Sequence, residues 1–205
     1  LPTDEQRMLI ETVRRFVRRE IWLWEKRIDA NALSLPEDAF AELSGKVRAM
    51  GLHRFTVPAL PALPPDVQGH DLDLHTQVLL MEEVAQHWAG VFAPGYGLFG
   101  VDIPPPLLAA TAAQQKQHLL PMLQGKRRCF SVLSDPAGPG HPADAVRPRA
   151  RWMGQEWMLD GTKIFVADAS ADFGIVFART EDADGTPRGI SCFVVEADRT
   201  GFQRW

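Results

Sequence analysis

Hydrophobic residues recur at helical spacing up to Gly125 and at strand spacing beyond it, so one chain must build two kinds of packing surface. Before the change, Thr3 and Gln6 stand three apart, as a capping box requires. Val13, Val17, Ile21, Trp24 and Ile28 then follow at three- to four-residue steps, which predicts a long amphipathic helix burying those five side chains. Pro36 suits the first position of a second helix, with Phe40, Leu43, Val47 and Met50 as its stripe and Gly51 as its left-handed stop. Leu74, Val78, Met81, Ala85 and Trp88 make a third stripe. Thr111 with Gln114 repeats the capping box ahead of KQHLLPMLQG, where Pro121 predicts a short or kinked helix.

Between the second and third stripes, VPALPALPPDVQGHD carries Pro58, Pro61, Pro64 and Pro65, which forbid helix and remove ladder donors. It reads as a surface loop inside one helical domain. Beyond Gly125, the runs CFSVL, EWMLDG, TKIFVA, FGIVFART and GISCFVVE are short and β-rich, with the turn sequence DADGTPRG between the last two. In GISCFVVE, Ile190, Cys192 and Val194 alternate with Phe193 and Val195, so both faces are expected to be covered. The fold class is therefore α+β: a helical domain over 1–126 and a mainly antiparallel β-domain over 127–205.

Charge and composition exclude several functions. The formal net charge is -4, and no strongly basic stretch is interleaved with aromatics, which argues against nucleic acid as the partner. Arg14, Arg15, Arg18 and Arg19 form the densest basic run, expected to be a solvated helix face. No apolar run reaches the ~18 residues of a membrane span and no signal-peptide pattern opens the chain, so a soluble, cytoplasmic protein is expected. Cys129 and Cys192 both lie in apolar runs and are expected to be buried, inert thiols, with neither a disulfide nor a metal site. The chain starts at Leu1 and stops in the strand-like run TGFQRW, so both ends read as cut, processed or otherwise incomplete.

The stretch CFSVLSDPAGPGHP, 129–142, reads as a strand entering a glycine- and proline-rich loop, and WMLDGTKIFVA follows. With DEQRMLIETVRRFV at the start, LLMEEVAQ at 79–86, QQKQHLLPMLQGKRRCF at 114–130 and DGTKIFVADASADFGIVFART at 160–180, this order resembles the acyl-CoA dehydrogenase family. That resemblance implies a helical N-terminal domain, a central β-domain and a C-terminal helical bundle that this sequence does not contain. It also implies FAD as the cofactor, an acyl-CoA thioester as substrate, an electron-transfer acceptor and a homo- or hetero-oligomer of the family type.

By the same resemblance, Ser131, Val132, Leu133 and Ser134 border the flavin, with Ser134 in the place of a threonine and Asp135 in that of a glutamate. Gly140 replaces a serine near the cofactor pyrophosphate and the coenzyme A chain. It lacks the hydroxyl, but Gly138 and Gly140 permit a backbone nest for phosphate. Phe165 keeps the aromatic beside the isoalloxazine, Val166 follows it, and Ala167 lacks the hydroxyl that meets the hydride-accepting nitrogen in relatives. In FAPGYGLFGVDIPPP, Tyr96 and Phe99 are candidates to line the acyl pocket, with interhelical packing the alternative. The family's base is a glutamate of the C-terminal bundle, so no catalytic residue is assigned here. Glu82 and Glu83 read as solvated helix surface, and Asp168 and Asp172 as turn or cap residues. Two functions follow: flavin-dependent α,β-dehydrogenation with the base outside this chain, or a degenerate, non-catalytic binding or assembly subunit with weak or no FAD binding.

Overall fold

The computed structural model describes residues 1–29, 35–60, 63–87, 97–99, 103–136, 146–166 and 170–204. They form two compact units, Leu1–Ile103 and Pro104–Trp205. No helix among the described residues is long and apolar enough to cross a membrane.

The first unit opens with three segments running end to end as helix α1 (4–25): Asp4–Phe16, a π-helical turn at Val17–Ile21, and Trp22–Glu25. Its start is the predicted capping box, with Thr3 accepting from the Gln6 N–H and the Gln6 side chain accepting from the Thr3 N–H. The π turn has a geometric reason. Four-residue steps overshoot an α-helical turn by ~40° each, and a turn closed by i→i+5 bonds absorbs that drift. Val13, Val17 and Ile21 consequently stay buried on one face, while Trp24 and Ile28 are half-buried against the same core and Ile28 lies beyond the helix end.

Helix α2 (Glu37–Ala49) buries Ala39, Leu43, Ser44 and Val47. Pro36 is its N-cap rather than its first helical residue, and Met50, at the C-cap, is exposed. Gly51 takes the left-handed stop at φ 71°. Of the proline-rich segment, Pro65–Val67 forms a 3-10 turn; Gln68 pins the rest by donating to the Leu60 and Leu63 carbonyls and accepting from the Leu60 N–H. It is a surface loop anchored by buried Val57 and Val67.

Helix α3 (Leu74–Val84) overturns most of the third stripe, of which Met81 does pack half-buried against the core. Leu74 is 75% and Val78 55% exposed, Ala85 is exposed as well, and the buried set is Thr76, Leu80, Glu83 and Val84. Trp88 lies outside the described residues. Two of those buried residues are polar, and each carries its partners inward. The Thr76 hydroxyl donates to Asp73 at 2.6 Å and accepts from Gln6 at 2.9 Å. Glu83, expected on the surface, takes a two-pronged bond from Arg14, Nε to Oε2 at 3.0 Å and Nη2 to Oε1 at 2.6 Å. Arg14 therefore leaves the solvated arginine face, whereas Glu82 is exposed.

The second unit begins with helix α4 (Pro105–Leu108) and helix α5 (112–123), the latter built from Ala112–Gln114, a π turn at Gln115–Leu119, and Leu120–Leu123. The Thr111–Gln114 capping box is present. Pro121 does not end α5, because the widened turn just before it, closed from the Leu120 N–H to the Gln115 carbonyl, absorbs the proline.

The sheet comprises β1 (Cys129–Val132), β2 (Arg149–Trp152), β3 (Trp157–Asp160), β4 (Phe173–Glu181) and β5 (Pro187–Glu196). It is mixed and organised around β4. One edge of β4 pairs antiparallel with β5 along its length; the other is shared end to end by β1 and β2, both parallel to it. β3 pairs antiparallel with β2. Antiparallel pairing dominates, since the longest ladder is the β4–β5 hairpin. β2 escapes the sequence pattern because only Ala150 points inward, while Arg149 and Arg151 pair with Glu181. Cys129 is buried, but Cys192 is exposed on β5, whose faces are only partly covered among the described residues. The described part of the run TKIFVA, 162–166, is not a strand.

Candidate functional site

Strand β1 reaches the site by alternation. Phe130 and Val132 turn into a cluster with Ala171, against which Val166, Val176 and Phe202 pack, while Ser131 points away and is exposed. Past the strand, Leu133 and Ser134 are exposed and Asp135 turns inward.

Asp135 joins three segments. Its side chain is 0% exposed and that of Lys163 is 9%, with Oδ1 and Nζ 3.1 Å apart. Oδ2 accepts the Arg147 N–H at 2.8 Å, and Lys163 also donates to the Leu133 carbonyl at 2.9 Å. One residue on, the Ile164 N–H donates to the Ser134 carbonyl at 3.0 Å. Gly161, at φ 145°, lies so close to Pro148 that an added Cβ would stand 2.7 Å from its ring. These contacts hold 161–164 beside 133–135 without a strand ladder, which is why a β-rich run is not a strand.

The next residue, Phe165, has φ 55°, uncommon for a bulky side chain, and is 89% exposed. Val166 then returns half-buried to the cluster. Two stitched loops thus carry two exposed side chains, the Ser134 hydroxyl and the Phe165 ring, a chemistry that suits a planar aromatic ligand with polar edges.

Of the other predicted site residues, the Val132 side chain faces the core, so only its backbone is free for a ligand. Phe99 has no exposed surface: it packs edge-on against Phe16 at 5.6 Å and Phe55 at 6.2 Å in the helical core. Tyr96, Gly140 and Ala167 lie outside the described residues, as does Asp168. Asp172 accepts the Arg128 N–H at 2.7 Å, tying the residue before β4 to the residue before β1. The Asp135–Lys163 pair is the feature that spacing alone misses. Its signal is a lysine inside the apolar run TKIFVA, which needs a buried counter-charge.

Elsewhere lie two imidazoles, half-buried His53 and buried His118. Burial, helped by the Arg48 and Arg54 charges, holds His53 down at about 4, while a backbone bond with Leu98 acts the other way. His118 sits in α5 against the Phe173 ring, centroids 5.0 Å apart, and 3.6 Å from Glu196, which Arg127 also engages. Burial lowers its pKa, Glu196 raises it and Arg127 lowers it further.

Two family models match this chain: acyl-CoA dehydrogenase, N-terminal domain, over residues 3–126, and acyl-CoA dehydrogenase, middle domain, over 129–204. A 3-(aryl)acrylate reductase of Clostridium sporogenes is 34% identical over 143 residues, covering 68% of this chain and 37% of the relative. The mitochondrial short-chain specific acyl-CoA dehydrogenase of Homo sapiens is 30% identical over 207 residues, covering 98% and 46% respectively. The chain thus spans less than half the length of both relatives. In fold it matches a glutaryl-CoA dehydrogenase of Mycobacterium smegmatis in complex with FADH2, with TM-score 0.69 and 21% identity over 98% of this chain and 48% of that one.

Proposed function

Because this chain belongs to the acyl-CoA dehydrogenase family, we propose that it carries the flavin-binding part of an enzyme that dehydrogenates an acyl-CoA thioester across its α and β carbons, with FAD as cofactor. One observation supports this most: the Ile164-to-Ser134 bond sets exposed, left-handed Phe165 beside the loop that follows β1. The backbone of 131–134 and the Ser134 hydroxyl would hold the pyrimidine end of the flavin, Phe165 would face the ring, and the backbone of Val166 and Ala167 would border it. Gly140 would lie by the pyrophosphate and the coenzyme A chain. When bound, FAD supplies an acceptor for the β-hydrogen as hydride.

The chain's own residues bind and orient. The α-proton needs a base within ~3 Å. Asp135 is committed to Lys163 and the Arg147 N–H, and Asp172 to the Arg128 N–H, which supports a base contributed from outside this chain. An electron-transfer acceptor and an oligomer of the family type belong to the same reading.

The test is FAD uptake by the purified full chain. Yellow protein that keeps FAD through gel filtration and releases it on denaturation is the expected result. Phe165→Ala should then raise the FAD Kd roughly 5-fold, for a ring contact of about 1 kcal/mol. The second reading, a non-catalytic binding subunit, is favoured by the two hydroxyls missing at Gly140 and Ala167. Colourless protein that FAD does not reconstitute would select it.

A further inference from the structure

We propose that Asp135 and Lys163 are positioning residues whose buried ion pair sets the geometry of the flavin-facing loops; this rests on the flavin reading above. The pair is an odd choice for stability alone. Two buried charges are costly to desolvate, and apolar replacements of equal volume are often neutral or better, so such a pair is weak grounds for a stabilising role. What it does provide is connection. Asp135 meets Lys163 and the Arg147 N–H, and Lys163 meets Asp135 and the Leu133 carbonyl, so one contact fixes 133–135, 147 and 163 together.

Phe165 is where that fixing is needed. A left-handed aromatic is strained and persists only where its neighbours over-determine it. Here Lys163 is held by the pair, Ile164 by the Ser134 carbonyl and Val166 by the apolar cluster, whereas the Phe165 ring itself is exposed. Because 161–166 belongs to no strand, nothing in the sheet ladder replaces these bonds. Removing either charge leaves the other buried and unpaired, and loosens the loop carrying Ser134 together with the loop carrying Phe165.

The full chain carries the test, through FAD titration, the visible spectrum of the bound flavin and amide exchange without FAD. Asp135→Asn and Lys163→Met should each raise the FAD Kd at least ~10-fold and alter the flavin absorption bands. The double variant should be no weaker than the worse single, and Asp135→Glu, which keeps the charge, should recover most of the affinity. Without FAD, the Ile164 and Arg147 amides should exchange at least ~10-fold faster in Asp135→Asn. If a single variant fails to fold, the double variant, which leaves no lone buried charge, carries the same test. Unchanged Kd and spectrum in these variants, against a wild type that binds FAD, would overturn the positioning role alone. A wild type that takes up no FAD would overturn the flavin reading and the positioning role together, whatever the amides do.

Discussion

Glu83 can sit in the helical core only because Arg14 follows it there, with both guanidinium prongs on the carboxylate. The two partners are not equivalent, since the Glu83 side chain is 6% exposed and that of Arg14 is 36%. Arg14→Met strands a buried carboxylate, whereas Glu83→Gln leaves an arginine that can turn to water and an amide that can keep a bond to it. The arginine variant should therefore show the larger fall in urea midpoint; equal falls would mean the pair is not desolvated. His53 sets a pH effect of its own. Its imidazole titrates near 6.5 when unfolded and at about 4 in place, so above pH 6.5 its contribution is whole. As pH falls from 6.5 towards 4 the unfolded chain gains a proton that the native state refuses, and stability drops by at most ~1.4 kcal/mol per pH unit from this group. His53→Gln should flatten that part of the stability profile, measured as urea midpoints at pH 7 and 4.5.

At the scale of elements, β1 and β4 are fitted to each other by a missing side chain. Phe130 is registered opposite Gly174, and a Cβ on that glycine would stand 1.8 Å from the ring. Gly174→Ala should push Phe130 out of the cluster it shares with Val132 and Val166, costing about 1–3 kcal/mol in a denaturant titration. A cost near zero would show that the ring has room to move. Elements set by local chemistry were readable from sequence: both capping boxes, the Gly51 stop, and the long β-run from Phe173. Where distant partners decide, the reading failed. Apolar spacing on α3 pointed at Leu74 and Val78, but Asp73, Gln6 and Arg14 pull Thr76 and Glu83 inward and rotate the buried face. TKIFVA has strand composition but, over its described residues 162–166, no ladder, because its bonds go to the loop after β1. At the site, sequence named Ser134 and Phe165 through a motif and missed the ion pair that brings their loops together.

For the whole molecule, the open matter is where one folding unit ends. The family models divide the chain between 126 and 129, whereas compactness divides it between Ile103 and Pro104. The difference is α4 and α5, which belong to the same compact unit as the sheet. His118 of α5 lies on the Phe173 ring of β4 and faces Glu196 of β5, while Leu107, Leu119, Met122 and Leu123 are fully buried. Among the described residues, the buried cluster of the helical unit runs from Val13 to Phe99. Each such apolar side chain is worth roughly 1.5–3 kcal/mol, so stripping four from a unit with ~5–15 kcal/mol of stability removes much of what holds it. A fragment of 104–205 should therefore unfold cooperatively in urea, and 127–205 should unfold at a much lower midpoint or show no transition. The fragment 1–103 should gain little from extension to 126. If 127–205 matched 104–205, the two helices would be dispensable to the sheet, and the boundary at 126 would be the physical one.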